Sequence, residues 1–413
     1  MMKSEWRTVP IRKLYQGLYD GPHATPKPSD SGPIFLGIKN VTDDGCLDLS
    51  AIRNIAEEEF SAWTRRIEPK AGDLVFTYEA TLNRYAIIPE GFRGCLGRRM
   101  ALIRPAPDKV DVRFLLYYFF TSEWRAVIKS NMLTGATVDR IPLTTFPEFP
   151  VCVPSLPTQR RIAGILSAYD ELIENNQRRI RILEDMARSL YREWFVHFRY
   201  PGHESVPLVE SPLGQIPQGW EVKRILDFGK VITGKTPSKA NSDFYGEDVP
   251  FVKTPDMHGN MFILATGECL SNAGADSQAN KLIFAGSICV SCIGTIGVVS
   301  ITTEDCQTNQ QINSIVLEKD LFREFLFFRL QDAKQALENL GSNGATMGNV
   351  NKSKFESVEV IAPPSGLLER YHQFSASLLS EILILSRQTA NLRRTRDLLL
   401  PRLLSGQINL VET

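Results

Sequence analysis

The chain has 413 residues, 43% of them hydrophobic, and its 47 Lys plus Arg are balanced by 47 Asp plus Glu. That length calls for about two domains of ordinary size rather than one small core. A formal net charge of zero excludes a protein that holds nucleic acid by bulk charge alone, so any such contact needs local basic patches or basic partners.

No apolar run approaches the roughly 18 residues of a membrane span, and the opening MMKSEW lacks the apolar core of a signal peptide. Seven cysteines without framework spacing read as reduced core thiols. The expectation is a cytoplasmic chain with no membrane partner.

In chain order, residues 1–154 read as a compact α+β domain. Stretches such as GDLVFTYEATLNRYAIIPEG carry the β-branched residues, Gly and Pro of short strands and turns. One helical patch, Phe114 to Ser130, interrupts them. Residues 155–200 predict a long helix with Thr158 as N-cap. Its apolar positions Ile162, Leu166, Tyr169, Ile173, Ile180, Leu183, Ala187, Leu190 and Trp194 alternate steps of four and three, a coiled-coil seam. Asn176 is the strongly polar seam position, the kind that fixes register. About 40 residues at 1.5 Å rise give a rod of roughly 60 Å.

Residues 201–216 read as a linker. Residues 217–363 repeat the mixed α+β pattern, with a helical patch from Leu321 to Leu340. Residues 364–406 form a second long helix with Leu378, Ile382, Leu385, Leu392, Leu399 and Leu403 on its seam, and 407–413 a tail. Thr389 and Arg396 break the second seam, Pro401 is expected to kink or end the helix, and Gly406 is a stop signal.

The chain is written twice. TGATVDRIPLTTFPEFPVCVPS from Thr134 matches NGATMGNVNKSKFESVEVIAPP from Asn343 at one constant offset, which also places Leu183 on Leu392 and Leu190 on Leu399. At a slightly different offset Trp6 falls on Trp220, Ile11 on Ile225 and Gly72 on Gly286. Divergence is greatest between these anchors, as in Arg84–Arg99 against Val298–Gln311. Two matched rods after two matched domains favour an antiparallel coiled coil.

These residues resemble the specificity subunits of type I restriction-modification systems, the HsdS family. PSLPTQRRIAGILSAYDELIENNQRRIRILEDMARSLYREWF is similar to their first spacer region and LLLPRLLSGQINL to their closing segment. The domain openings around Trp6 and IPQGW, and the GAT segments, are similar too. The resemblance covers essentially the whole chain in order. It implies two target-recognition domains, each reading a half-site in double-stranded DNA, with the helices setting the unread gap. It also implies two DNA methyltransferase subunits docked on the helices and restriction/translocase subunits joining them. S-adenosylmethionine, ATP and Mg would belong to those partners, and this chain would bind no cofactor or metal and have no catalytic residue. The second copy has PPSGLLERYHQF where the first has PSLPTQRRIAGI, which puts methylase docking there in doubt.

GKVITGKT, Gly229 to Thr236, matches the phosphate-loop pattern, the basis of a rival reading as a nucleotide hydrolase. Pro237 and a turn-rich stretch follow instead of a helix, and the first repeat's DGPHATP lacks the Gly-Lys. The segment reads as a loop whose Lys235 and Lys239 reach phosphate. Cys289 and Cys292 form a single CxxC without a second pair, read as core thiols. A second rival is a coiled-coil scaffold that binds no DNA.

Arg to guanine, and Asn or Gln to adenine, are the favoured major-groove pairs, so polar residues of the diverged loops are the candidates. In the first domain these are Asn83, Arg84, Tyr85, Arg98, Arg99 and Arg140. In the second they are Lys253, Asp256, Gln307, Asn309, Gln310, Asn343 and Asn349. Thr137 and Thr346, the shared GAT threonines, are candidates for positioning backbone.

Overall fold

The computed structural model describes residues 6–134, 138–342, 348–408 and 410. The chain divides into two compact units, Met1–Glu174 with Ala390–Thr413, and Asn175–Thr389. The division therefore falls inside both long helices rather than at their ends: each helix gives residues to both units.

Unit 1 is built on a four-stranded antiparallel sheet in the order Tyr15–Asp20, Met100–Pro105, Leu74–Thr77, Tyr85–Ile87. Its strands are apolar because a cluster of aromatic side chains covers one face. Phe76 stacks on Phe146 at 5.0 Å and Phe119 on Trp124 at 4.6 Å, all fully buried. The helical patch is two helices, Val112–Phe119 and Ser122–Asn131, the first capped by Asp111 and the second by Thr121. Arg7–Pro10 pairs with Pro150–Val153, which delivers the chain to the first long helix.

Unit 2 repeats the frame. Gly229–Thr233, Ile312–Leu317, Ile288–Ser291 and Val299–Thr302 lie in the same order as the four strands of unit 1, and Phe262–Ile263 adds a fifth. Glu221–Arg224 pairs with Glu359–Ala362 as the counterpart of the opening pair. The matched Gly72 and Gly286 both have φ of 84°, a left-handed turn that favours glycine. The second helical patch is likewise two helices, Arg323–Asp332 and Lys334–Gly341. The stretch 201–216 is not a plain linker, because Leu208–Ser211 and Gly214–Pro217 form a hairpin.

The first long helix runs Leu156–Tyr191 and closes in a π turn, Arg192–Val196. It begins before Thr158, whose backbone N–H donates to Ser155 Oγ, so Ser155 and not Thr158 stands at the start. Ile162, Leu166, Ile173, Asn176, Ala187 and Trp194 are buried, and Tyr169, Ile180, Leu183 and Leu190 partly so, as the seam requires. The second helix runs Ser365–Leu404 straight through Pro401, which does not end it; Gly406, at φ 71°, follows the last turn. Its seam residues Ile382, Leu385 and Leu403 are buried, and Leu378, Leu392 and Leu399 are partly buried.

Within each unit the helical segments run antiparallel. In unit 2, Arg179 pairs with Glu381 at 2.6 Å and, further along the first helix, Trp194 meets Tyr371 earlier in the second. In unit 1, Arg161 donates to the Leu410 carbonyl and Asp170 pairs with Arg396 at 2.6 Å. Arg396 interrupts the seam without an unpaired charge, since Asp170 and Asp397 both bind its guanidinium.

Gln159 lies in the stretch whose loss from the second copy cast doubt on docking there. It is buried, accepts from the Asp111 N–H at 3.0 Å, and donates to the Pro154 carbonyl at 3.0 Å. It ties the helix to its own domain, and the repeat places the buried Leu368 there instead. Loss of this glutamine therefore changes an internal tether rather than an outer surface.

Candidate nucleic-acid interface

Antiparallel pairing brings four chain segments of unit 1 to one end of its sheet. Asp20 stands opposite Ala101, Thr77 opposite Met100, and Phe76 opposite Tyr85. The loops leaving that end are therefore the one after Asp20, the hairpin 78–84 and the turn 97–99. Arg140 joins them through bridges to Glu79 and Leu133.

Unit 2 brings the equivalent loops together by the same bonds. The Gly21 N–H donates to the Met100 carbonyl at 2.8 Å, and that of Gly234 to the Ile312 carbonyl at 3.1 Å. The Tyr78 N–H donates to the Arg99 carbonyl at 3.2 Å, and that of Cys292 to the Gln311 carbonyl at 2.7 Å. The Glu79–Arg140 bridge has its counterpart in Ile293–Asn349. The hairpin keeps its backbone: Ala80 (φ 71°) and Asn83 (φ 63°) match Gly294 (φ 77°) and Gly297 (φ 84°). Left-handed non-glycine residues cost of order 1 kcal/mol each, and unit 1 accepts that cost here while unit 2 uses glycine.

The shared glycine that begins the false phosphate loop's Gly-Lys has a structural reason. A side chain on Gly21 would collide with the Gly97 carbonyl oxygen, and one on Gly234 with that of Asn309. Both units press this glycine against the turn that follows. Gly229–Thr233 is a strand paired with Ile312–Leu317, and Thr236 opens no helix: a short 3-10 turn at Ser242–Phe244 is the only helical turn before the α-helix at Thr254, so the backbone cannot cradle a phosphate as a phosphate loop does.

The structure sorts the sequence candidates. Arg98 and Arg140 are exposed at this end of unit 1, with no hydrogen bond or ion pair from their side chains among the described residues. Arg99, itself at φ 71°, donates from Nε to Glu79 at 3.1 Å. Arg84 is held by Asp43, with Nε donating at 2.7 Å, and Asn83 accepts from the Tyr85 hydroxyl at 3.3 Å. Tyr85 is not on the loop surface: it is fully buried and accepts from Trp124 Nε1 at 2.9 Å, and burial pushes its hydroxyl far above the usual range.

In unit 2, Lys235, Gln310 and Asn349 are exposed at the matching end. Gln307 lies in the sheet below, 1% exposed, accepting from Gln278 and donating to the Ala275 carbonyl, so it cannot reach a base. Asn309 is also buried, its amide closing its own turn through bonds with Gln311.

Lys253 follows Val252, whose carbonyl accepts from the Asn309 N–H at 3.1 Å, but its side chain and those of Lys239 and Asp256 are engaged by neighbouring groups. Lys253 pairs with Glu268, whose carboxyl it holds below the usual range, and Lys239 lies 4.0 Å from the same carboxylate. Asp256 accepts from the Lys253 and Gly267 N–H groups at 2.8 and 3.0 Å, so its carboxylate caps a short helix. Thr137, Asn343 and Thr346 lie outside the described residues. Sequence reasoning missed Gln311, the counterpart of Arg99; the repeat register through Arg99 was the signal that pointed to it.

Cys289 and Cys292 face the core, and burial pushes both thiols up to about 11. No helix among the described residues is long and apolar enough to cross a membrane.

A family model described as the type I restriction modification DNA specificity domain matches the chain twice, over residues 40–185 and 217–367. The specificity subunit of the type I restriction enzyme HindI from Haemophilus influenzae is 32% identical over 401 residues, covering 82% of this chain and 87% of that one. The MjaIX specificity subunit from Methanocaldococcus jannaschii is 26% identical over 363 residues, covering 87% and 83%. The fold is shared with a crystallised type I S subunit from M. genitalium, at a TM-score of 0.63 and 13% identity over 96% of each chain. The twofold match of the family model falls on the two units that the sheet order had already equated, and the chain belongs to the family of type I restriction-modification DNA specificity subunits.

Proposed function

We propose that this chain reads a bipartite DNA site, one half-site per unit, and brings methyltransferase and restriction subunits to it without chemistry of its own. DNA sequence recognition is the role of its family's domain. The observation that carries the bipartite reading is the frame built twice: the same strand order and loop bonds end in Arg98 and Arg140 in one unit and in Gln310 and Asn349 in the other. A frame held constant under loops of different chemistry suits two readers of different sequences.

The methyltransferase subunits dock on the long helices, one in each unit. Apolar side chains that the seam leaves outside support this: Leu172 and Leu398 in unit 1, and Ile182, Met186 and Ile384 in unit 2, each near half-exposed. Partners that embrace the duplex supply the phosphate grip that a neutral chain lacks. S-adenosylmethionine belongs to the methyltransferase, and ATP and Mg to the restriction subunit. The helices set the interval between half-sites.

The test is selection from a random duplex library with this chain co-purified with its methyltransferase at physiological salt. Two short half-sites at one interval are expected. Enrichment of no sequence, with an intact complex, contradicts the reading and favours a scaffold that binds proteins alone.

A further inference from the structure

The matched loop bonds equate individual residues of the two units. Because Tyr78–Arg99 and Cys292–Gln311 are the same bond, Arg99 stands where Gln311 stands and Arg98 where Gln310 stands. Because Glu79–Arg140 and Ile293–Asn349 are the same bridge, Arg140 stands where Asn349 stands. At all three positions an arginine in unit 1 is a carboxamide in unit 2.

That exchange has a definite meaning in the major groove. Guanine presents two acceptors, N7 and O6, which a guanidinium meets with two donors. Adenine presents N7 as acceptor and N6–H as donor, so its partner must donate and accept; a carboxamide does both and a guanidinium, having no acceptor, does not.

We propose that these are the specificity-determining positions of the two units: Arg98 and Arg140 read guanine in one half-site, and Gln310 and Asn349 read adenine in the other. The inference rests on the DNA-reading function proposed above. Arg98, Arg140, Gln310 and Asn349 are exposed; the Thr236 hydroxyl donates to Gln310 Oε1 at 2.5 Å, which orients the carboxamide and leaves its N–H groups and a second lone pair on the oxygen to meet a base. The turns beneath are closed by the Met100 N–H to the Gly97 carbonyl and the Ile312 N–H to the Asn309 carbonyl. Gly21 and Gly234 lock each turn from below, and the bridges hold residues 140 and 349 to the neighbouring hairpin. Arg99 and Gln311 sit further in. Glu79 binds the Arg99 guanidinium and the Asn309 amide donates to Gln311 at 3.0 Å, so these two are positioning residues that shape the turn.

The test compares selected sequences for the wild-type complex with those for Arg98→Gln, Arg140→Asn, Gln310→Arg and Asn349→Arg, each checked for native circular dichroism and for co-purification with the methyltransferase. The wild type is expected to require at least one guanine in one half-site and one adenine in the other. Each unit 1 substitution weakens discrimination at a guanine of that half-site by roughly 5- to 150-fold and shifts it toward adenine, leaving the other half-site unchanged. Gln310→Arg and Asn349→Arg do the reverse, giving a second arm if a unit 1 variant fails to fold. Folded variants whose half-sites match the wild type overturn the inference while the bipartite reading stands. A wild-type complex that enriches nothing overturns both.

Discussion

Gly234→Ala isolates the claim that a glycine under each reading turn is there for close backbone approach. An ideal Cβ at Gly234 falls 2.1 Å from the Asn309 carbonyl oxygen, with the Thr308 carbonyl and Oγ1 both at 2.3 Å. Carbon and carbonyl oxygen approach no closer than about 3.3 Å, so backbone must part from backbone by about 1 Å. No flexible side-chain tip can absorb that shift. Overpacking of this kind costs about 1–3 kcal/mol. The shift also breaks or stretches the bonds from the Gly234 N–H to Ile312 and from the Lys235 N–H to Thr308, now 3.1 and 2.9 Å, at about 1 kcal/mol each. A loss of about 3 kcal/mol is expected for Gly234→Ala, and a similar one for Gly21→Ala, whose Cβ would lie 2.2 Å from the Gly97 carbonyl oxygen. Urea unfolding of each variant beside wild type measures it, with sequence selection as a second readout. Gly234→Ala should blur only the half-site read by unit 2, and Gly21→Ala only the other. Gly164→Ala is the control, because its Cβ meets nothing within 4 Å and a helix gains up to about 1 kcal/mol from alanine. A Gly234→Ala variant as stable as wild type, with an unchanged half-site, refutes the close-approach argument.

Tyr85→Phe leaves the Trp124 Nε1–H buried without an acceptor and is expected to lower stability by about 1–3 kcal/mol with sequence preference unchanged; lost DNA discrimination at full stability would restore Tyr85 as a reader. Gln159→Ala leaves the Asp111 N–H and the Pro154 carbonyl without their partner, so chemical denaturation should show a loss of about 1–3 kcal/mol; an unaffected midpoint argues against the tether. Alkylation of the native chain followed by mass mapping should mark exposed Cys46 ahead of Cys289 and Cys292, whose buried thiols are pushed up to about 11 and are almost wholly protonated at pH 8; early labelling of those two contradicts their placement in the core.

The helices and the repeat were legible in the sequence because each rests on a local pattern. The four-three spacing of Ile162, Leu166, Ile173 and Trp194 is the burial pattern itself, and Gly72 and Gly286 mark the same left-handed turn wherever the chain then goes. The hairpin in 201–216 left a readable signal in Gly214, at φ 99°, between two extended stretches. The site was less legible because exposure depends on pairings between distant segments. Tyr85 and Gln307 look like polar loop residues, but Phe76 pairs with Tyr85 and Phe251 with Gln307, which turns both inward. Asp256 looks like a free carboxylate until Gly267 donates to it from eleven residues away. The glycine shared by DGPHATP and GKVITGKT was visible as a repeat, but its cause lay in the remote Gly97 and Asn309 carbonyls.

The central claim, two readers in one chain, is tested most directly by measuring the affinity of the methyltransferase-bound complex for duplexes carrying both selected half-sites, with the interval between them varied one base pair at a time. The account predicts one sharp optimum, and a fall to the affinity of a single half-site when either half is scrambled. Affinity that ignores the interval, or that survives scrambling of one half-site undiminished, would contradict it.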